Sequence, residues 1–389
     1  MESSSKITAS GQLRITGTGG GGNSGGGSNR GVYLSNASLA SSGAMTINGT
    51  GGGKSGDSGG NDGIHMTGAT QIQSGAAALT LEGIGGPGSS SNAIAIGAGT
   101  VVGHASAQSG NITLRGDLLF NSAGTGKTLT SGHLTLESRG VSFARAFNTS
   151  DWDFGSRLTG LTIGKTTNTQ DVTVANALSV AGPIQLNGGN LAINGALTAT
   201  GSNAAITLGS RGSVTQAAAL SANQLLLLGN TTSTSATLAH ADNSVGTLAA
   251  SGMNNLSYAN SGALTVGSVG GTNGVSATGT VSIATQSGNL SLASTVGTTN
   301  ATANAVTLVA DAAKAAGDGT GGDILINAGG GVSAGGGGTA RLFSGSVAGS
   351  TGVTALVGSG TGRFRYNSDE SAANYTTALA TGLNAIYRE

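Results

Sequence analysis

The amino-acid sequence predicts an all-β protein, a right-handed parallel β-helix with glycine-rich loops that leave its coils. Two observations lead to this fold class: an extreme glycine content and a phrase of alternating apolar and polar residues that returns at regular intervals. The chain has 389 residues, with 73 Gly, 2 Pro, no Cys and 8% charged residues. So much glycine excludes a mainly helical protein, because each Gly inside a helix costs on the order of 1 kcal/mol.

The composition also excludes several other classes of protein. Collagen needs a strict Gly-X-Y period and abundant Pro, and a disulfide scaffold needs Cys. Flexible disorder is disfavoured because 37% of the residues are hydrophobic. Sixteen basic residues balance sixteen acidic ones, so the basic footprint of a nucleic-acid binder is missing and no nucleic-acid partner is predicted.

A repeated strand phrase sets the architecture. It occurs at residues 11–17, 43–49, 77–83 and 110–116, and every copy closes on a glycine. In the first copy the alternation predicts that Leu13 and Ile15 point inward while Arg14 and Thr16 point outward. The closing glycines recur at intervals of about 33 residues, which lies within the range of periods that is typical of solenoids.

Each repeat contains two further short strands, which follow a glycine-rich excursion such as residues 51–60. The second strand is predicted at residues 31–34, 63–66 and 93–96, and the third at 37–40, 70–73 and 100–102. Three short strands that cannot bury an apolar face alone are typical of one coil of a β-helix. Parallel crossovers favour the right hand, and Asn and Gly are expected at the corners.

The pattern predicts four segments along the chain. Residues 1–138 form a β-helix with repeats of about 33 residues and Gly-rich loops. Residues 139–158 form an aromatic and charged insertion, and residues 159–340 continue the β-helix with shorter coils. Residues 341–389 form a C-terminal cap or tail segment.

The insertion holds the candidate binding residues, which are Arg145, Asp151, Trp152, Asp153 and Arg157. Alternating positions on a strand would place the carboxylates of Asp151 and Asp153 on one face, beside an aromatic platform for a sugar. Paired carboxylates are also what polysaccharide-cleaving enzymes use. A structural insertion is nevertheless the favoured interpretation, and no catalytic residue is predicted.

Other motifs favour plain turns. The string at residues 56–60 copies the surroundings of a trypsin-like nucleophile, but no His precedes Ser58. The string at 124–128 hints at a phosphate-binding loop, but Asn121 stands where that motif needs Gly. The integrin-type tripeptide at 115–117 closes a predicted strand, and the Thr residues show no common register of the kind that ice binding needs. The four His are scattered, so no metal site is predicted, and no cofactor is implied.

The strand phrases, which read Gly-Asn/Ala-Leu/Ile-x-Leu/Ile/Val, resemble the passenger region of filamentous haemagglutinin-like bacterial adhesins. The run at residues 344–367 is similar to a segment near the end of such passengers. The resemblance implies two-partner secretion through an outer-membrane partner and an extracellular or cell-surface location. It also implies adhesion to host-cell, bacterial or matrix glycans or proteins. The signal peptide and secretion domain of that family are missing here, so the resemblance is to a passenger fragment.

Together these features predict a non-enzymatic, surface-exposed β-helical segment of a large secreted adhesin, acting as a rigid stalk that can carry binding loops. Two alternatives remain open. A polysaccharide-cleaving enzyme would lose turnover of an acidic polysaccharide in Asp153→Asn. A self-assembling extracellular fibre would grow through the strand edges that open coil ends expose.

Overall fold

A computed structural model describes residues 5–21, 28–55, 59–122 and 126–389. Almost all of its regular structure is β-strand, and successive coils pair in parallel ladders, which confirms the predicted parallel β-helix. The chain forms two compact units, Met1–Gly189 and Asn190–Glu389.

The strands of the first unit are short. In chain order they are β1 (Lys6–Ala9), β2 (Leu13–Thr18), β3 (Val32–Ser35), β4 (Ser38–Ser41), β5 (Met45–Thr50), β6 (Ile64–Thr67), β7 (Gln71–Gln73), β8 (Leu79–Ile84), β9 (Ile94–Ile96), β10 (Val101–Gly103), β11 (Ile112–Arg115), β12 (Leu119–Asn121), β13 (Lys127–Leu129), β14 (His133–Glu137), β15 (Phe147–Asn148), β16 (Gly160–Ile163), β17 (Val172–Val174), β18 (Leu178–Val180) and β19 (Ile184–Gly188). A 3₁₀ turn covers Thr149–Asp151.

Three parallel sheets run along the first unit, one on each face of the coil. The first contains β1, β4, β7, β10 and β13, and the third contains β3, β6, β9 and β12. The second sheet contains β2, β5, β8, β11, β14, β16 and β19. Each of the first four coils thus supplies one strand to every sheet, which confirms the three-strand repeat predicted from the sequence.

The register reproduces the predicted spacing and shows where it changes. Leu13 pairs with Met45, Met45 with Leu79, and Leu79 with Ile112, so one repeat of the strand phrase corresponds to one coil. Ile112 then pairs with Leu134, which is a much shorter step along the chain. The coils therefore shorten before residue 138, earlier than the sequence predicted, because the long glycine-rich excursion is absent between those strands.

Stacked aliphatic side chains fill the first unit. Along the second sheet one inward column contains Met45, Leu79, Ile112, Leu134, Leu161 and Ile184, and the next contains Ile47, Leu81, Leu114, Leu136, Ile163 and Leu186. All twelve side chains are fully buried. Neighbouring parallel strands lie about 4.8 Å apart, so each side chain packs on its equivalents in the coils above and below.

The glycines that close the repeated phrase lie where another backbone segment passes very close. A Cβ atom on Gly49 would overlap the carbonyl oxygen of Gly63, and one on Gly83 would overlap that of Ala93. The next strand begins directly after each of these carbonyl groups. This close approach of two backbone segments explains why the phrase ends on glycine at residues 17, 49 and 83, whereas a Cβ atom on Gly116 would instead overlap the side chain of Ala93.

The second unit has a similar strand content. Its strands are β20 (Leu191–Ile193), β21 (Leu197–Ala199), β22 (Ala205–Ser210), β23 (Ser213–Gln216), β24 (Leu220–Gly229), β25 (Ser235–Leu238), β26 (Ser244–Met253), β27 (Leu256–Asn260), β28 (Leu264–Val266), β29 (Ser268–Val269), β30 (Thr272–Asn273), β31 (Val275–Ala277), β32 (Val281–Thr285), β33 (Leu290–Leu292), β34 (Thr295–Thr298), β35 (Val306–Val309), β36 (Ile324–Ile326), β37 (Gly331–Ser333), β38 (Thr339–Ser344), β39 (Phe364–Arg365) and β40 (Gly382–Tyr387). One short helix, α1, covers Val353–Val357.

Two long strands organise this unit. β24 pairs with both β21 and β22, and β26 pairs with both β28 and β31, so each of these long strands runs along two faces of its coil. A separate parallel ladder contains β20, β23, β25, β27, β32, β35, β38 and β40. The antiparallel hairpin of β29 and β30 places Val269 on an outward apolar patch formed by Leu226 and Ala249.

Buried asparagines occupy corners in both units, as the sequence predicted. In the first unit Asn168 donates from Nδ2 to the carbonyl of Asn187 at 2.9 Å, and Asn187 donates to the carbonyl of Gly164 at 2.9 Å. In the second unit Asn243 donates to the carbonyl of Ala259 at 3.0 Å and accepts from the amide of Leu220 at 2.8 Å. These amides satisfy backbone groups where the ladder is interrupted.

The C-terminal segment is packed against its unit. β40 pairs in parallel with β38 along its whole length. Arg388, which follows β40, is fully buried. Its guanidinium donates to the carbonyl of Ala310 at 2.6 Å and pairs with Glu370 at 3.2 Å. Removing the carboxylate of Glu370 would leave the buried charge of Arg388 without its partner.

The aliphatic columns generate the first testable prediction. Leu81→Ala removes a fully buried side chain between Ile47 and Leu114 and should lower the free energy of unfolding by about 2–5 kcal/mol. The adjacent variant Thr80→Ala, on the outward face, should change it by no more than about 0.5 kcal/mol. Urea unfolding of both variants measures the difference, and equal effects would contradict the inward assignment of Leu81.

Candidate binding groove

The predicted binding residues lie on one segment of the first unit. Hydrogen bonds within this segment and to a neighbouring strand give it a defined conformation. Phe147 and Asn148 form β15, which pairs in parallel with β17. The side chain of Asn148 then accepts from the amide of Ser150 at 3.0 Å and caps the 3₁₀ turn. This is the usual role of Asn at the start of a helical turn. The segment therefore contributes a strand to the stack of coils.

Four aromatic rings pack against one another along this segment. Phe143 stacks on Phe147 with centroids 5.7 Å apart, Phe147 on Trp152 at 5.6 Å, and Trp152 on Phe154 at 6.4 Å. All four side chains are buried, and Trp152 is 8% exposed. The indole thus belongs to a small aromatic core and does not present the open ring face that a sugar platform requires.

The two candidate carboxylates lie in different local environments. Asp151 ends the 3₁₀ turn and is exposed, and its carboxylate accepts from the hydroxyl of Ser150 at 3.4 Å. Asp153 is bridged to Lys127, with Oδ2 and Nζ 3.6 Å apart, and its Oδ1 accepts from the amide of Gly155 at 3.0 Å. The expectation of alternating positions on one strand is therefore wrong, because the capped 3₁₀ turn ends between the two residues.

The two candidate arginines are exposed, and their side chains donate hydrogen bonds to different backbone carbonyls. Arg145 donates from Nη2 to the carbonyl of Leu119 at 3.5 Å. Arg157 donates from Nη1 to the carbonyl of Ala105. Within the described part of the chain neither guanidinium lies within 4.0 Å of a carboxylate oxygen.

Two cavities flank the turn at residues 153–156, and we call them together the binding groove. Both are lined by Asp153, Phe154, Gly155 and Ser156. The larger, of about 510 Å³, is also lined by Thr149, Trp152, Asn176, Ala177, Leu178 and Ser179. The smaller, of about 230 Å³, is also lined by Ala105, Lys127, Leu129, Thr130 and Arg157.

The groove thus gathers three of the five predicted residues, namely Trp152, Asp153 and Arg157. Arg145 and Asp151 are not among the residues that line it. Lys127 and the polar residues around Asn176 were missed by the sequence reasoning, because they come from neighbouring coils and no motif marks them. Asp153 is the one carboxylate among the described residues that line the groove.

A charged ladder on the outer face of the second sheet was also missed. Glu82, Arg115 and Glu137 pair in register on β8, β11 and β14. Arg115 contacts Glu137 at 2.6 Å and Glu82 at 3.5 Å, and Arg139 contacts Glu82 at 3.1 Å. Asp117 accepts from the amide of Gly140 at 2.7 Å. The tripeptide at 115–117 therefore closes a strand, as expected. Both of its charged side chains already have partners, Arg115 in ion pairs and Asp117 in a hydrogen bond.

The expectation that the Thr residues share no register is wrong for the first unit. Thr46, Thr80, Thr113, Thr135 and Thr162 pair in register along one outward column of the second sheet. The sequence hides this column because unequal loops separate its members. The charged ladder of Glu82, Arg115 and Glu137 lies further along the same strands, so the face is not the flat, uncharged one that ice binding needs.

One buried acid couples three successive coils of the first unit. The Asp62 carboxylate, 2% exposed, contacts His65 Nδ1 at 2.6 Å and accepts from the Asn92 backbone amide at 2.7 Å. Arg30 lies 3.9 Å away. Burial alone would raise the pKa of Asp62, but the hydrogen bonds from His65 and Asn92 outweigh it and lower that pKa.

Two of the motifs considered from the sequence fall partly outside the described residues, namely Gly56–Ser58 of the first string and 124–125 of the second. Across the residues that the structure does describe, no group of three His, Asp or Glu side chains is placed to hold a metal ion. Nor does any described helix have the length and apolar character to cross a membrane.

Comparison with known proteins gives no family for this chain. No protein-family model, no curated protein and no solved structure matches it.

Asp62 generates a prediction about acid stability. Because its folded-state pKa lies below the ordinary value, the ionised carboxylate stabilises the fold at neutral pH, and this contribution disappears as the pH falls through the folded-state pKa. Below about pH 3.9, the unfolded-state pKa, the wild-type free energy of unfolding should therefore fall more steeply than that of Asp62→Asn.

Urea unfolding at a series of pH values measures both curves. The matched control is Asp242→Asn, whose side chain is 83% exposed and which should follow the wild-type slope. Parallel curves for the wild type and Asp62→Asn would show that the carboxylate does not have this role.

Proposed function

We propose that the chain is a non-enzymatic, surface-exposed β-helical segment of a large secreted bacterial adhesin. Its coils serve as a rigid stalk, and the binding groove serves as a contact site. The observation that carries this proposal is the binding groove, which is lined by residues from neighbouring coils of the first unit. The scaffold is built from repeated parallel pairs, whereas the groove is built from residues that do not repeat.

The packing supports a stalk. Aliphatic columns pass through six successive coils of the first unit without interruption, and backbone pairs connect each coil to the next. A solenoid of this kind distributes stability over nearest-neighbour contacts and presents long lateral surfaces for binding.

The groove supports binding rather than cleavage. Glycoside hydrolysis uses two carboxyl groups that flank the scissile bond. Among the described residues that line the groove only Asp153 carries a carboxylate, and it is paired with Lys127. The mixture of hydroxyl, amide, charged and aromatic groups suits recognition of a polar ligand.

The resemblance of the strand phrases to filamentous haemagglutinin-like passengers supports the remaining parts of the proposal. These parts are export through an outer-membrane secretion partner and an extracellular or cell-surface location. The ligands proposed on the same ground are host-cell, bacterial or matrix glycans or proteins.

An array of glycans and matrix proteins tests the contact site. The wild-type chain should bind at least one ligand saturably, and Ser156→Trp should reduce that binding by about tenfold or more, because Ser156 is exposed and lines both cavities. The matched control is Ser150→Trp, which is exposed on the same segment but does not line the groove.

Retention of full binding by Ser156→Trp would place the contact elsewhere on the chain. Absence of binding by the wild type would leave only the stalk part of the proposal. Circular dichroism spectra of both variants should match that of the wild type, since neither substitution touches the buried columns.

A further inference from the structure

We propose that the smaller cavity of the binding groove recognises the carboxylate of a hexuronate residue within an acidic polysaccharide. This ligand class rests on the proposed function, because the same groove receives the ligand. The present proposal goes further, because it names the chemical group that the groove binds and the side chain that contacts this group.

The first observation is an arginine without a carboxylate partner. Elsewhere on the first unit, Arg115 pairs with Glu137 and Glu82, and Arg139 pairs with Glu82. Arg157 lines the cavity, yet the described residues place no carboxylate within 4.0 Å of it. A guanidinium presents a planar set of donors that matches a carboxylate. Nη1 of Arg157 donates to the carbonyl of Ala105, and its other N–H groups are available for an incoming anion.

The second observation is the charge of the cavity wall. Lys127 and Arg157 contribute two positive charges, and Asp153 contributes one negative charge. The side chains of Lys127 and Asp153 are 53% and 38% exposed and 3.6 Å apart. An exposed pair of this kind contributes little stability, so Lys127 can turn towards a ligand at small cost. The cavity therefore favours one added negative charge.

The third observation is the rest of the cavity wall. Leu129, which is partly exposed, supplies apolar surface on which the C–H face of a sugar ring can pack. Ser156 and the carboxylate of Asp153 supply a hydroxyl and an acceptor for sugar hydroxyl groups. A volume of about 230 Å³ is below the usual range for drug-sized ligands and suits a single ring.

Comparison of the charges in the two cavities indicates which cavity binds the carboxylate of the ligand. The residues that line it in the described structure include no Lys or Arg. A sugar carboxylate is consequently stabilised on the side of Arg157, and the sugar residues that reach the larger cavity need carry no charge.

Isothermal titration with a short galacturonate oligomer tests the ligand class. The full chain should bind it, and should bind the neutral galactose oligomer of equal length and linkage about tenfold more weakly. Arg157→Gln should weaken binding of the galacturonate oligomer by about tenfold, and Arg157→Lys should recover part of the loss.

The matched control is Arg145→Gln, which removes the same charge from the same segment outside the groove and should leave affinity within about twofold. Equal losses in Arg145→Gln and Arg157→Gln, equal binding of the neutral oligomer, or binding of a sulfated oligomer alone would each overturn the assignment. If the chain ignores galacturonate but binds another ligand in a manner sensitive to Ser156→Trp, the ligand class is wrong while the proposed function stands. If no ligand binds, neither the ligand class nor the contact site stands.

Discussion

Parallel backbone pairing between successive coils is the constraint on which the rest of each unit depends. Once Leu79 pairs with Met45 on one side and Ile112 on the other, every side chain of those strands acquires an equivalent above and below it. Inward positions then stack into aliphatic columns, and outward positions stack into the threonine column and the charged ladder. Burial of the columns is the main favourable contribution, since the chain has few charges and only 3% aromatic residues.

The same constraint explains why irregular features gather at the corners. A coil must turn between sheets, and there the ladder leaves backbone groups without strand partners. Buried side-chain amides such as that of Asn243 pair with these backbone groups, and glycines such as Gly49 allow adjacent backbone segments to approach closely. The segment at residues 143–154 uses a capped 3₁₀ turn and an aromatic core instead. The binding groove lies beside that exception, where the wall departs most from the repeating pattern.

Much of the fold could be predicted from the sequence, because alternation and a nearly constant interval follow directly from strand geometry and coil length. Leu13 and Ile15 face inward, and the interval between copies of the strand phrase equals the observed register. The groove was only partly predictable. The sequence marks Trp152 as a candidate because aromatic residues are rare in this chain, but its burial depends on the neighbouring rings. Loops of unequal length bring distant residues together in Lys127's part of the groove, in the threonine column and in the Glu82–Arg115–Glu137 ladder. No local sequence motif indicates that these residues become neighbours.

Site-specific disulfide formation tests the predicted register most directly, because the chain has no cysteine of its own. Thr80 and Thr113 occupy adjacent positions in the outward column, whereas Thr80 and Thr135 are two coils apart. Paired strands lie within the Cα separation that a disulfide spans, and strands two coils apart lie outside it. The double variant Thr80→Cys/Thr113→Cys should therefore oxidise to an intramolecular disulfide, and Thr80→Cys/Thr135→Cys should stay reduced. A disulfide in the second variant but not in the first would contradict the coil register and the groove that is built on it.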